Sequence, residues 1–338
     1  MALLKGGELA IVAFHQQQLE GGKIREDMIR FRSTDGGRSW SRAETLDLLG
    51  REPYFSITRD GTLLITTHLL EQDVRNQSGY VHSYLHRSTD GGATWQTLRI
   101  GAQDVPGAPA GAWVLTSRNV LELADGTLVL GVSAPRGIDY LWKSADGGRS
   151  WDKAACGFDG VPKEELWWPF MAETVFWQAP GGDLLGIWRV DHKVFHLPGT
   201  PPPEQRSDQY ERMIVFRSRD AGQSWRPEKD LGTYGEMYPS LLRLGRGRLL
   251  LTFTVRAVHT PLGVHALLGE EQPAGFVFDF GRDRLVLDAK TPLDKPSGGG
   301  FGPTVELDDG TLVTAHSYRG ADDKTRLEVV RWRLPRPR

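Results

Sequence analysis

The chain has a single cysteine, almost no net charge, and no basic stretch followed by a long apolar core at its N-terminus. Each scarcity excludes something. One cysteine, Cys156, rules out an intramolecular disulfide and any cysteine-based zinc cluster, and a lone thiol reads as a small buried hydrophobe. With 41 basic and 43 acidic residues the formal charge is −2, which indicates neither a nucleic-acid nor an anionic-membrane partner. No signal peptide or membrane span is read, so a cytoplasmic protein is the default expectation, although a secreted chain with its leader trimmed would look the same. At 338 residues the length alone would accommodate two domains, but no linker divides it. A single domain over 1–338 is expected.

What the chain does have is one phrase written four times: Ser33 to Trp40, Ser88 to Trp95, Ser144 to Trp151 and Ser218 to Trp225, each of the form S-x-D-[GA]-G-x-[ST]-W. Such spacing is the mark of a repeat architecture. The phrase describes a β-hairpin turn. Its Asp-Gly-Gly core tolerates positive φ, the Asp carboxylate accepts hydrogen bonds from the turn's own N–H groups, and the Trp starts the return strand. Asp35, Asp90, Asp146 and Asp220 are therefore read as structural, because a carboxylate used by its own turn has little acceptor capacity left.

A second phrase alternates with the first. An apolar strand, a tight turn and another apolar strand recur at Lys5–Leu9, Arg59–Leu63, Ala124–Leu128, Pro180–Leu184, Gly245–Leu249 and Asp308–Leu312. The glycines just before their last two residues, at 7, 61, 126, 182, 247 and 310, return every 54 to 65 residues, about one four-stranded blade with its loops. Six blades account for the whole chain.

Together the two phrases resemble the Asp-box (BNR-repeat) six-bladed β-propellers of the sialidase superfamily, over essentially every residue. The expected fold is all-β, with four-stranded antiparallel blades. Blade one has only Met1–Leu4 ahead of its turn, blade five has a degenerate box near Asp279–Asp283, and blade six has none, so blades one and six are expected to be incomplete. The insertion 199–204 is read as a loop excursion of blade four. Both kinds of turn share one rim, which leaves the functional mouth on the other.

That mouth carries Arg51-Glu52-Pro53, Ser117-Arg118-Asn119, Glu173, Glu236-Met237-Tyr238 and Phe301-Gly302-Pro303 at the starts of inner strands. Second strands end at His15, His68, Ser133, Arg189, Arg256 and His316 to Tyr318, with Trp113, Trp167 and Trp168 in adjacent loops. Aromatic faces beside a polar funnel suit sugar rings, and they equally suit packing between blades.

The resemblance implies roles. Sialidases clamp a substrate carboxylate with three arginines, whose guanidinium forks bind carboxylates bidentately and stay charged. A Tyr nucleophile is activated by a Glu, with an Asp as acid/base. Arg51 stands in the R-x-P wording of the first arginine and Asp73 where the acid/base is expected; Glu173 with Arg189 matches the activating Glu and second arginine, and Arg256 the third. Two departures stand out. The R-x-P motif falls in the second blade rather than the first, and Phe301 occupies the expected nucleophile position. Tyr238, one blade early and beside Glu236, and Tyr318 are the alternative nucleophile candidates; in a register shifted by one blade, Glu236 and Arg256 replace Glu173 and Arg189.

The resemblance implies an exo-acting glycoside hydrolase that cleaves a terminal acidic sugar. Two alternatives stay open: a lyase of uronate-containing polysaccharide, to which His15, His68 and His316 would contribute a base, and a non-catalytic glycan-binding propeller. A carbohydrate is the expected partner. No cofactor is expected, and no short-spaced His/Asp/Glu motif calls for a metal.

Overall fold

The computed structural model describes residues 1–166, 168–190, 208–282, 284–293 and 300–334. The chain folds into six small, essentially antiparallel sheets placed as the blades of a sialidase-like propeller. Blade one pairs Ala2–Leu3, Leu9–Gln18, Ile24–Ser33 and Glu44–Leu46, and blade two Arg51–Ile57, Leu63–Leu69, His82–Ser88 and Gln96–Ile100. In blade three the inner edge is split into Leu115–Thr116 and Leu121–Glu122, followed by Leu128–Ala134, Ile138–Ser144 and Asp152–Ala155. Blade four runs Val175–Gln178, Leu184–Val190, Arg212–Ser218 and Ser224–Leu231, with Gly157–Phe158 added in parallel to its outer edge. Blade five comprises Glu236–Arg243, Arg248–Val255 and Gly263–Gln272, with an outer edge divided between Gly275–Val277 and Leu285–Val286. Blade six has three strands among the described residues: Thr304–Glu306, Leu312–Arg319 and Thr325–Trp332. No helix among the described residues is long and apolar enough to cross a membrane.

The core consists of the seams between blades. In a strand, successive side chains point to opposite faces, and both faces of each blade are covered, so the second strands are almost continuously apolar. Leu184 and Trp188 face blade three, whereas Leu185 and Ile187 face blade five. Leu128 and Leu130 face blade two, and Val129 faces blade four. Each seam also receives at least one large aromatic from its later blade, with Trp95, Trp151 and Trp225 at the seams with blades one, two and three. Phe280 takes this place in blade five, Trp332 in blade six, and Trp40 at the seam between blades six and one. The degenerate box of blade five therefore keeps the seam function with a phenyl ring; Asp283, part of that stretch, lies outside the described residues, as does the 199–204 insertion.

The four boxes share one hydrogen-bond pattern. Asp35 Oδ1 accepts from the N–H groups of Arg38 and Ser39 at 3.0 and 2.9 Å, Oδ2 accepts from Ser39 Oγ at 2.6 Å, and Ser33 Oγ donates to Oδ1 at 2.8 Å. Asp90, Asp146 and Asp220 repeat it. The second turn glycine sits in the seam: a Cβ on Gly222, whose φ is +90°, would lie 2.1 Å from Leu141 Cδ2. Blade six meets blade one through Leu9, Ile11, Val313 and Ala315 and a hydrogen bond from Arg331 Nε to the Gly36 carbonyl at 2.8 Å. Among the described residues no strand is shared across that seam.

Candidate functional site

At the mouth, the inner strands begin with an irregularity that aims one side chain at the axis. Glu52, Glu173, Tyr238 and Phe301 each stand nine residues ahead of their blade's hairpin glycine, and each has a positive φ, between +49° and +56°. Non-glycine residues rarely adopt this conformation, and strain of this kind concentrates at functional sites. In blades two and five the pairing slips at this point, between Arg51 and Tyr54 and between Met237 and Ser240. Order along the rim is what marks these positions in the sequence, and in the structure they share one backbone conformation.

The charged groups form an alternating chain around the funnel. Arg51 lies 3.6 Å from Glu26 and 3.2 Å from Glu52. Arg118 Nη1 lies 3.0 Å from Glu52, and its Nη2 lies 2.6 Å from Glu173 Oε1. Arg189 Nη1 donates to Glu173 Oε2 at 2.5 Å, and its Nε to Glu211. The same Nη1 donates to the Tyr238 hydroxyl at 2.9 Å. Three guanidinium groups face the Tyr238 ring, those of Arg118, Arg189 and Arg256 at 5.0, 5.1 and 4.6 Å from its centroid. The Phe301 ring packs against it at 4.4 Å.

Burial and charge oppose each other here. Burial pushes the Glu52 and Glu173 carboxyls up, but Arg118, with Arg51 at Glu52 and Arg189 at Glu173, holds both below their ordinary range. Burial raises the Tyr238 phenol, and Arg189 and Arg256 pull it part of the way back. The His68 imidazole is pushed down by burial against the pull of Glu52 and Glu173. His68, Glu52, Thr116, Arg118 and Glu173 line one cleft at this mouth.

The structure thus brings together Glu173, Arg189, Tyr238, Arg256 and His68, with Arg51 one ion pair away. Other candidates stand elsewhere. Glu236 belongs to blade five's own framework: its Oε1 takes Arg284 at 2.6 Å and its Oε2 the Thr233 N–H at 3.0 Å. Tyr318 faces Lys290, whose ammonium is 5.1 Å from the ring centroid. Trp168 is half-buried against the core between blades three and four, Trp113 is half-buried in its loop, and Trp167 lies outside the described residues. His15 is exposed on its strand.

Asp73 is 1% exposed and fully engaged. Its oxygens accept from the Arg75 and Glu26 N–H groups at 2.8 and 3.0 Å and from the Arg75 guanidinium at 3.0 and 3.1 Å. Burial disfavours its charge, but the Arg75 bonds hold the carboxyl below its ordinary range, so it has no proton to give near neutrality. Its neighbour Glu26 is the opposite case. It is fully buried, neither carboxyl oxygen has a hydrogen-bond partner among the described residues, and burial pushes its pKa up to about 7. Sequence reasoning missed Glu26 and Glu211 because neither lies at the start of an inner strand or the end of a second one. Arg118 was visible on the rim without an assigned role.

No protein-family model and no curated protein sequence matches the chain. Similarity lies in the fold. A Dyadobacter fermentans protein of unknown function superposes with a TM-score of 0.68 at 18% identity, over 97% of this chain and 92% of that one. The leech intramolecular trans-sialidase, complexed with 2,7-anhydro-Neu5Ac, gives 0.66 at 10% identity, over 98% of this chain and 67% of that one. The intramolecular trans-sialidase from Ruminococcus gnavus, in complex with oseltamivir carboxylate, gives 0.66 at 11% identity, over 98% and 93%.

Proposed function

We propose that this propeller is an exo-acting glycoside hydrolase that removes a terminal acidic sugar at its axial funnel, with Tyr238 as nucleophile and Glu173 as the base that activates it. The observation that carries this reading is the shared Arg189 Nη1, which donates to Glu173 and to the Tyr238 hydroxyl inside a cage of three guanidinium groups. A phenol is a weak nucleophile until a neighbouring base takes its proton. Glu173 is held ionised and is tied to the same guanidinium, so it is placed to accept that proton as the Tyr238 oxygen bonds to the anomeric carbon. Arg118, Arg189 and Arg256 supply the positive field for a substrate carboxylate. The leaving-group oxygen needs a proton. In the corner shared by blades one and two, Glu26 rather than Asp73 is the carboxyl that retains one near neutral pH.

One observation favours a second reading. Arg118 and Arg189 each already contact two protein carboxylates, which leaves fewer N–H donors for a substrate than an unoccupied clamp would offer. That arrangement suits a non-catalytic glycan-binding propeller. The test is chromophore release from a panel of aryl sialosides, neutral aryl glycosides and aryl uronides, beside unsaturated-product absorbance on uronate polymers. Turnover of the sialosides that falls roughly 10³-fold or more in Tyr238→Phe and in Glu173→Gln is expected. Sialoside turnover that survives Tyr238→Phe refutes the nucleophile. Glycan binding without any turnover selects the second reading, and unsaturated product selects the lyase.

A further inference from the structure

Away from the funnel, the seam between blades five and six gathers three side chains of metal-ligand type. Asp288 follows the short strand Leu285–Val286; His316 lies on Leu312–Arg319, and Glu328 is paired with it in register on Thr325–Trp332. One donor atom from each lies within 4.8 Å of the other two. His316 Nε2 is 3.9 Å from Asp288 Oδ2 and 3.5 Å from Glu328 Oε2.

An independent observation makes this more than a cluster of acids. His316 is 1% exposed and Asp288 4%, yet neither imidazole nitrogen of His316 nor Asp288 Oδ2 has a hydrogen-bond partner among the described residues. Buried polar atoms are rarely left this way, because losing water without a replacement is costly. Asp288 Oδ1 is occupied by the Lys290 N–H at 3.0 Å, which turns Oδ2 toward the imidazole. On the outer side the Lys290 ammonium sits against both Glu328 oxygens, at 2.5 Å from Oε2, so a cation already stands at the solvent edge of the cluster.

We propose that Asp288, His316 and Glu328 form a binding site for a divalent transition-metal cation of the zinc class, fastening blade six to blade five. One imidazole nitrogen and two carboxylate oxygens are a borderline donor set that suits zinc better than calcium or magnesium, which favour oxygen alone. With bonds near 2.0–2.2 Å, ligand atoms around a tetrahedral ion lie about 3.3–3.6 Å apart, so the two His316 separations need little change, while the two carboxylate oxygens, within 4.8 Å of each other, draw together by about an ångström on binding. Asp288 and His316 are enclosed, while Glu328 is 29% exposed and marks the side from which the ion enters. Lys290 competes for Glu328, so it weakens the site it borders. The sequence hid this site because its ligands come from two blades at spacings no motif records.

The test uses the full chain stripped with EDTA and titrated calorimetrically with zinc chloride, with a thermal melt in parallel and magnesium chloride as the contrasting ion. The expected result is one zinc equivalent bound, a raised melting temperature, and no comparable response to magnesium. His316→Ala should weaken zinc binding at least 100-fold and Glu328→Gln at least 10-fold, whereas Lys290→Met should tighten it. Should His316→Ala fail to fold, Glu328→Gln, which changes only a partly exposed carboxylate, carries the test. Absence of saturable zinc binding by the wild-type chain, or unchanged affinity in folded Glu328→Gln, overturns the proposal. Tyr238→Phe should bind zinc as the wild type does, which separates this result from the fate of the funnel chemistry.

Discussion

Replacing Glu26 by Gln should make the protein more stable, and more so as the pH rises. In the native state burial raises the Glu26 carboxyl from an ordinary 4.5 to about 7, with Arg51 opposing the shift and Asp73 and Glu52 adding to it. Between these two values the folded protein binds a proton that the unfolded chain has released, so stability declines as pH increases. The contribution of this group is fully present below about 4.5, is lost across the interval up to about 7, and is absent above it. A displacement of about 2.5 units at 1.36 kcal/mol each corresponds to roughly 3 kcal/mol. The side chain itself is buried, but its surroundings are only partly desolvated and hold several ionised neighbours, so screening makes that figure an upper bound. Glutamine keeps the shape and removes the ionisation. Urea unfolding of wild type and Glu26→Gln should give nearly equal stabilities at pH 4.5 and diverge, with the variant ahead by about 1–3 kcal/mol, at pH 8. Parallel pH profiles for the two proteins would refute the reasoning. The same variant has a kinetic arm: if Glu26 supplies the leaving-group proton, substrates with poor leaving groups should lose far more rate than activated aryl glycosides.

Three further changes test the framework. Trp225→Ala removes a fully buried ring from the seam between blades three and four and should cost roughly 3–5 kcal/mol in denaturant unfolding; a loss under 1 kcal/mol would contradict the seam account. Ala221 holds a φ of +57° in the fourth box where the other boxes have glycine, so Ala221→Gly should stabilise by about 0.5–1 kcal/mol, the relief of strain exceeding the added chain entropy; a lower melting temperature would contradict this. Asp90→Ala should lower the melting temperature while the folded fraction keeps its activity, since the carboxylate serves its own turn, and Arg38→Ala on that rim should leave activity unchanged; a stable but inactive Asp90→Ala would overturn the structural reading of the boxes.

The fold was legible because its information is local. A box is eight consecutive residues whose hydrogen bonds close within the turn, and the inner hairpins likewise carry their own turn chemistry. The site was only partly legible because its contacts run sideways. Glu173, Arg189, Tyr238 and Arg256 could be found by asking which residues begin and end strands at the mouth. That Arg118 of blade three bridges Glu52 of blade two and Glu173 of blade four depends on how neighbouring blades face each other, which no spacing within a blade encodes. The fate of Asp73 was closer to hand: an arginine two residues on, at Arg75, is a natural fork for that carboxylate. Tyr238 stands a blade early relative to the resemblance, yet its positive φ matches that of Phe301, and the two rings share the same floor.

The junction between the last and first blades gives the ring a preferred place to breathe. Blades one and two are cross-linked by backbone hydrogen bonds between Ile24 and the 72–74 segment, and blades three and four by those of Arg118 with Thr174 and Glu173 with Thr116. Among the described residues, no backbone hydrogen bond and no shared strand spans the junction of blades six and one. Among these residues, parting it costs apolar contacts and side-chain bonds, and a ligand that pulls several blades toward the axis would act as a hoop around the ring. Amide hydrogens of Leu9–Gln18 and Leu312–Arg319 should then exchange more slowly when the funnel is filled, although neither strand need touch what fills it.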